Sequence, residues 1–548
     1  MQHEFRRGCP RFSKLYERRL GLDQNCLRAG LLLTAVIALL TLFPQPVLRA
    51  ATPVLIGIDT QAATPLPLGF SGVNMPQPRT GVEYFDPKYV AAATPLKPGW
   101  IRYPGGTVSL AFDWEAGHIN TDWMNSLIAV SPPLVAQQTA DILTVAQQLT
   151  QAKGGNGFAD FATFSHTLGA SAILCFNSYT DNKPASAALM ALAAQTNGLN
   201  VLEWELGNEA YFYPRIYSDA ASYAAASNSY FTGIRVGAPH ALVGLFLGGL
   251  YSGVPGSYAT WDTGLSAVTP PGYTPHYWSA VSNHVYPIVS TVSTQDTIWL
   301  LNGILAHGSA DYVNSYLLPL AGPGSPIYVS ELNCCSEQTN PFLTYLYNGI
   351  FLAEYISRLA AVPNVKGVGI NSLYTDNNDY HGLIQSVNDY ETYLLGQVAA
   401  DPSYATNTAL NPDTQFQFFT SAPGVAMEIA NQVINSSEHL WPTTVTGGPV
   451  VGIAGFDGQP IPAIYAQAYR GHSGKPFILI TNKSAFSENV VIQVNGVQIT
   501  DTLSLTWVSN TSPAASNTAQ APTHVQIQTG TSSNPTRVGP YSVTSITW

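Results

Sequence analysis

Val201-Leu-Glu-Trp-Glu-Leu-Gly-Asn-Glu209 is the most informative stretch of this chain. Side chains alternate along an extended strand, so Glu203, Glu205 and Glu209 share one face and Trp204 and Leu206 the other. Carboxylates on one face, with the last at the strand's C-terminal end, suit the inner wall of a barrel whose catalytic groups gather at that end.

The sequence on either side agrees. From about residue 70 to 375, eight short runs of strand character alternate with longer helical stretches: Phe70 to Met75, Trp100 to Gly106, Ser171 to Asn177, Val201 to Glu209, Leu242 to Leu247, Val281 to Tyr286, Ile327 to Asn333 and Val365 to Tyr374. Apolar residues at three- and four-residue spacing predict helices over Leu134 to Gln151, Ala185 to Thr196, Ser218 to Arg235 and Phe342 to Ala361. The expected fold class is α/β, a (β/α)8 TIM barrel over residues 70–414. The long interval after the second strand, with Pro, Gly and aromatic residues around Asp113 to Pro133, is expected to cross the barrel mouth.

Beyond about residue 415 the pattern changes to alternating segments, Ile464 to Tyr469, Phe477 to Thr481, Val490 to Val494 and Tyr541 to Trp548, separated by Gly, Asn, Ser and Pro. This predicts an accessory antiparallel β-sandwich over 415–548, joined by 51–69 through the early strand Val54 to Asp59. Ser509 to Pro522, rich in Ser, Thr and Ala, is expected to be an exposed loop.

A second carboxylate occupies an equivalent place. In Ile327-Tyr-Val-Ser-Glu-Leu-Asn333, Ile327, Val329 and Glu331 share a face, and Glu331 sits near the strand's end. By count these are strands four and seven. Two carboxylates at one mouth are what glycosidic cleavage requires, one protonating the leaving oxygen and the other attacking or activating water. Taken without their place on the barrel, two glutamates are more simply ion-pair partners. A retaining pair predicts carboxyl groups about 5 to 5.5 Å apart, one holding a proton near neutral pH and the other ionised in the more positive surroundings.

Trp-Glu-Leu-Gly-Asn-Glu209 and Val-Ser-Glu331-Leu-Asn resemble the acid/base and nucleophile segments of glycoside hydrolase clan A, whose members are retaining enzymes on a (β/α)8 barrel. Arg102-Tyr-Pro-Gly-Gly-Thr followed by Phe-Asp-Trp114 is similar to the early barrel segment of the β-glucuronidase and heparanase family and of α-L-arabinofuranosidases, both of which carry a β-sandwich. Thr107 stands where arabinofuranosidases usually show Asn. The resemblance implies a retaining hydrolase, β-glucuronidase-like or arabinofuranosidase-like, with Glu209 as acid/base, holding a proton near neutral pH, and Glu331 as nucleophile, in the more positive surroundings. It also implies that Asn208 donates to the sugar 2-hydroxyl, which requires a bulge at Gly207, since in a regular strand Asn208 faces away from Glu209. A turn-forming Gly-Asn pair is the plainer reading.

His284-Val-Tyr286 ends the sixth strand and is similar to the clan's segment that hydrogen-bonds the nucleophile, with both rings on one face. Asn74, Arg102 and Asn177 end strands one, two and three, placed to position substrate, to hold Glu331 ionised, or simply to build the barrel mouth. A catalytically silent carbohydrate-binding protein on the same fold is the competing class, since a fold alone does not establish activity.

Composition narrows the partners. Of the 22 Lys/Arg, eight lie in the first fifty residues, against three of the 33 Asp/Glu, and Ala29 to Phe43 is apolar apart from threonines. Basic residues ahead of a short apolar core, followed by Ala50 and Ala51, predict an export leader over 1–50, as signal peptide or uncleaved anchor, and thus a secreted, periplasmic or cell-surface protein. The remainder carries 14 basic and 30 acidic residues, which opposes nucleic-acid binding. The expected partner is an oligosaccharide, polysaccharide or glycoside, with no membrane contact beyond an anchor. The 11 His are scattered without HxH or HExxH spacing, and neither a GxSxG elbow nor a phosphate loop occurs, so no metal and no cofactor are expected. Cys175, Cys334 and Cys335 show no CxxC spacing and read as small buried residues.

Overall fold

The computed structural model describes residues 53–75, 84–131, 140, 143–144, 157–181, 183–249, 258–268, 278–288, 293–322, 324–375, 379–386, 418–454 and 458–548. The leader expected over 1–50 and nearly all of the helix expected over Leu134 to Gln151 lie outside these residues.

Eight parallel strands close in sequence order into a barrel: β1 (Ser71–Asn74), β2 (Trp100–Tyr103), β3 (Ser171–Phe176), β4 (Val201–Leu206), β5 (Val243–Leu247), β6 (Ala280–Val285), β7 (Ile327–Leu332) and β8 (Val365–Asn371), with β8 pairing back onto β1. Each falls within or overlaps a run picked out by its residue pattern. The helices Pro184–Thr196, Ala220–Gly237 and Leu346–Ala360 also lie where their spacing placed them. Their starts are locally encoded. Pro184 pre-sets the first turn of one, and the Asp219 carboxylate accepts the Ser222 N–H at 2.7 Å to cap the next.

The barrel interior is graded along its axis. At the N-terminal end Trp100, Ile173, Ala280 and Tyr328 form a small apolar cluster. Glycines on β1 and β8 make room for the indole: a Cβ on Gly72 would come within 2.1 Å of the Trp100 ring, and one on Gly369 within 2.2 Å. Further along, polar groups fill the space, with Glu203, Glu205, Arg102 and Ser282 each 0% exposed. Burial of so many polar groups requires partners for them, and the site is built from those partners.

The sandwich is formed by two sheets. One runs Thr443–Thr446, Val54–Ile58, Glu488–Val494 and Val497–Gln498, with Thr536–Val538 also on Glu488–Val494. The other has seven strands and includes Ile464–Gly471, Pro476–Asn482 and Ser542–Thr547. Ile56, Ile58, Ile478, Ile480 and Ile492 meet between them. Val54–Ile58 pairs antiparallel to Thr443–Thr446 but parallel to Glu488–Val494, so the expectation of purely antiparallel sheets needs that correction. An N-terminal strand arriving from the far end of the chain meets no hairpin constraint on its direction.

Two further expectations are corrected. Ala422–Ile434, in the stretch expected to be β, is a helix lying on the barrel, where Asn431 donates to the Leu96 carbonyl at 2.7 Å and accepts from Ser71 Oγ at 2.7 Å. Ser509 to Pro522 is not wholly exposed: Ala515 and Asn517 are buried, and the Ala515 carbonyl takes the Leu346 N–H at 2.8 Å, capping a barrel helix. Backbone carbonyls supplied a docking partner that Ser/Thr content could not reveal.

Candidate active site

β4 ends at Leu206, and Gly207 turns out of the strand with a φ of +81°. A Cβ there would stand 2.1 Å from the Tyr179 ring, so glycine is required by conformation and by space alike. Glu209 follows with a φ of +49°, a left-handed conformation uncommon outside glycine and a form of strain that gathers at functional sites. This break in the alternation brings Asn208 and Glu209 to the same mouth, as the bulge reading required. The Tyr179 hydroxyl donates to the Asn208 carbonyl at 2.8 Å and holds the turn.

Glu331, near the end of β7, is the more enclosed carboxylate, its side chain 8% exposed against 19% for Glu209. Its Oε1 accepts from Arg102 Nη1 at 2.7 Å and from Asn74 Nδ2 at 3.1 Å, and its Oε2 accepts from the Tyr286 hydroxyl at 2.6 Å. Burial, then the charge and hydrogen bond of Glu331, push the Tyr286 hydroxyl well above its ordinary value, so the phenol stays a donor. Asn371 Nδ2 in turn donates to the Tyr286 oxygen at 2.7 Å.

Arg102 is completely buried. Nε reaches Glu205 Oε2 at 2.5 Å, Nη1 serves Glu331 and, at 3.3 Å, Asn74 Oδ1, and Nη2 serves Asn208 Oδ1 at 2.8 Å and faces Cys175 Sγ at 3.9 Å. Burial works against its charge, but Glu205 and Glu331 outweigh that and hold the guanidinium above its ordinary value. All five of its N–H groups are directed at protein atoms. Arg102 therefore serves Glu331 and the architecture around it, and of the roles expected of it the structure does not favour substrate contact.

Glu209 has a different neighbour. His284 Nδ1 lies 2.9 Å from Glu209 Oε1 and 3.7 Å from Glu331 Oε2, so one ring nitrogen stands between the two carboxylates. Those oxygens can be no further apart than the sum of the two distances, which only touches the lower edge of the roughly 6.5–9.5 Å spacing of inverting pairs. The Tyr211 hydroxyl donates to Glu209 Oε1 at 3.1 Å. Burial alone raises Glu209, but the hydrogen bond and charge of His284, then Tyr211 and Arg102, prevail and hold it below the ordinary carboxylate value. That corrects the expectation that Glu209 by itself keeps a proton at neutral pH. The nearest partner of its carboxylate is the His284 ring nitrogen.

Of the residues singled out from sequence, the structure thus brings together Glu209, Glu331, Asn208, Tyr286, His284, Asn74 and Arg102. It leaves Asn177 apart: the amide is taken up in a turn, Oδ1 accepting the Tyr179 and Thr180 N–H groups at 3.1 Å and Nδ2 donating to Thr180 Oγ1 at 2.9 Å. Asn177 thereby places Tyr179 beneath Asn208. Three participants escaped sequence reasoning. Asn371 had a signal, as a polar residue at the end of β8, whereas Tyr211 had none. Glu205 was legible as inward-facing but not as the partner of Arg102. Among the described residues no group of three or more His, Cys, Asp or Glu is arranged to hold a metal ion.

Neither a protein-family model nor a curated protein matches the chain. Solved structures do. The arabinose complex of α-L-arabinofuranosidase from Thermotoga maritima is 17% identical, with 90% of this chain and 99% of that one covered at a TM-score of 0.62. A GH51 arabinofuranosidase from Xanthomonas axonopodis pv. citri is 15% identical over 90% and 99% at 0.60. A 4-O-α-L-rhamnosyl-β-D-glucuronidase from Fusarium oxysporum 12S is 13% identical over 90% and 100% at 0.55. The chain has the fold of these glycoside hydrolases, a closed eight-stranded parallel barrel with a β-sandwich, which is the fold that the resemblance to clan A implied.

Proposed function

We propose that this protein is a retaining glycoside hydrolase in which Glu331 is the nucleophile and Glu209 the acid/base. The observation that carries the reading is the asymmetry of two carboxylates around one His284 nitrogen: Glu331 is gripped by Arg102, Asn74 and Tyr286, while Glu209 is more exposed and shares its hydrogen bond with a titratable ring. An anion held by a guanidinium is suited to attack the anomeric carbon. A carboxyl that exchanges a proton with imidazole is suited to protonate the leaving oxygen.

The two steps then follow. Glu331 displaces the leaving group while the Glu209–His284 pair delivers a proton to it, giving a glycosyl ester on Glu331. Forming that ester removes a negative charge beside Glu209, which favours its carboxylate form, so the same group now accepts a proton from the water that cleaves the ester. Asn208, with Oδ1 fixed by Arg102, has its Nδ2 3.5 Å from Glu209 Oε2, placed to donate to a sugar hydroxyl in the mouth.

For substrate, β-glucuronides come first, on the likeness of Arg102-Tyr-Pro-Gly-Gly-Thr to the glucuronidase and heparanase segment, with Thr107 standing where arabinofuranosidases usually show Asn. α-L-Arabinofuranosides come second, supported by the higher TM-scores of the arabinofuranosidase structures. The basic and apolar leader supports action outside the cytoplasm. A panel of aryl glycosides that includes both sugars, with NMR of the first-formed anomer, tests the proposal. Release of sugar with unchanged anomeric configuration is expected. The inverted anomer overturns the mechanism, and binding of oligosaccharides without cleavage of any of them moves the protein to the silent binding class.

A further inference from the structure

The catalytic reading leaves two buried acids unused. Glu203 and Glu205 lie two residues apart on the inner face of β4, both 0% exposed. Glu205 Oε2 holds Arg102 Nε at 2.5 Å, whereas its Oε1 has no hydrogen-bond partner among the described residues. Glu203 Oε1 accepts from Ser282 Oγ at 3.1 Å, and its Oε2 likewise has no partner among the described residues. The space for Glu203 is built in, since a Cβ on Gly244 would come within 2.0 Å of Oε1.

Charge decides what the pair does. Three carboxyls, Glu203, Glu205 and Glu331, surround the guanidinium of Arg102 in a buried interior, where an uncompensated charge is costly. Burial, and then the charge of Glu205, push Glu203 well above the ordinary carboxylate range, so it is the neutral member. Arg102 is left between two anions, Glu205 on Nε and Glu331 on Nη1, with Cys175, Asn208, Asn74 and the Phe246 ring as its other neighbours. Burial pushes the Cys175 thiol up to about 12, so it adds no third charge. Around Glu331 itself stand Arg102, Asn74, Tyr286, His284 and Glu209, and none of these but Arg102 carries a permanent positive charge.

We propose that Glu205 is a positioning residue for the nucleophile: with Glu203 it keeps one proton and one negative charge beneath Arg102, and that charge orients the guanidinium and limits how strongly it holds Glu331. The inference rests on the hydrolase reading of Glu331. A nucleophile gripped by the whole charge of Arg102 would be easily ionised but weakly reactive. Sharing the cation between two carboxylates keeps Glu331 anionic while leaving it able to attack.

The test has two arms. In Glu205→Gln the shape is kept and the competing anion is removed, so Arg102 turns to Glu331 alone. The acid limb of the kcat/KM profile should move to lower pH by about one unit, with kcat falling roughly ten- to a hundredfold, the scale of a misaligned reacting group, and KM little changed. Loss of kcat with the acid limb unmoved is what a merely structural role gives, and it overturns the proposal. The second arm needs no activity. Difference infrared spectroscopy of the wild type at neutral pH should show the carbonyl band of a buried neutral carboxylic acid that disappears in Glu203→Gln. No loss of such a band overturns the one-proton count, and this arm decides the matter if Glu205→Gln does not fold. A wild type that cleaves no glycoside overturns the hydrolase reading instead, a result distinct from either failure here.

Discussion

His284 Nδ1 lies 2.9 Å from Glu209 Oε1 and 3.7 Å from Glu331 Oε2, so a single imidazole separates the two carboxylates of the site. The ring is completely buried and packs edge-on against Phe246 at 5.2 Å, which fixes its orientation. Because it sits much closer to Glu209, it distinguishes two residues that are otherwise the same amino acid.

Replacing His284 with Phe should therefore act on the basic limb. The hydrogen bond and charge of His284 are the leading groups that favour the Glu209 carboxylate against burial. Without them burial prevails and Glu209 holds its proton to higher pH, so the limb of kcat/KM that reports the acid should move upward. A fall in kcat of about a hundredfold is expected, within the usual range for acid–base assistance. A limb that moves downward would show that His284 does not govern Glu209.

Azide separates the two glutamates by stereochemistry. With a substrate whose activated leaving group needs no protonation, Glu209→Ala should still form the glycosyl-enzyme, and azide attacking it should yield the glycosyl azide of retained configuration. Glu331→Ala should yield the inverted azide or no product. The reason is positional: azide replaces water in one variant and the missing carboxylate in the other, and so meets opposite faces of the sugar. An inverted azide from Glu209→Ala would exchange the two roles.

Gly207→Ala should damage the site more than the fold. The new methyl meets the Tyr179 ring, and alanine disfavours a φ of +81°. Tyr179 would shift from the Asn208 carbonyl, and the turn that aims Asn208 and Glu209 would relax. A loss of about 1–3 kcal/mol in urea unfolding, together with at least a hundredfold loss of kcat/KM, is expected. Unfolding and turnover both like the wild type would show that the turn does not aim the acid.

A second buried charge lies where the barrel meets the sandwich. Glu354, on Leu346–Ala360, accepts from Lys483 Nζ at 2.6 Å, from Thr481 Oγ1 at 2.6 Å and from Arg358 at 2.8 Å. Burial opposes its charge, but Lys483 and Arg358 hold Glu354 below the ordinary carboxylate value; Lys483, for which burial outweighs Glu354, is itself held below the ordinary lysine value. The two directions agree that both charges are strained by burial and that the anion is the better compensated. Glu354→Gln leaves Lys483 buried with no anion to face, and should cost about 3–5 kcal/mol by urea or thermal unfolding. A depressed folded value means that the contribution of Glu354 is present above the unfolded value near 4.3 and is lost as pH falls through the lower folded one. The variant's deficit should accordingly shrink only in strong acid, and a deficit that shrinks already between pH 7 and 5 would contradict the assignment.

The sequence by itself determined the repeat of strands and helices, which strand faces look inward, and that Glu209 and Glu331 stand at strand ends. These follow from local rules: a period of two for strands, near 3.6 for helices, and glycine where the backbone must turn. The Gly-Asn-Glu209 segment even carried the glycine at which the alternation breaks. What the tertiary structure alone decided was partnership. Arg102 and Glu331 are 229 positions apart, and Arg102 and Glu205 are 103 apart. Only closure of the barrel brings three strands' inner faces to one guanidinium, and no periodicity records which of several inward carboxylates it will hold. The same is true of Asn177, whose strand-end position suited the site but whose amide was claimed by its own turn, and of the strand Val54–Ile58, whose direction against Glu488–Val494 was set by the far end of the chain. Local pattern specifies the face a side chain shows, and burial among distant strands specifies what that face meets.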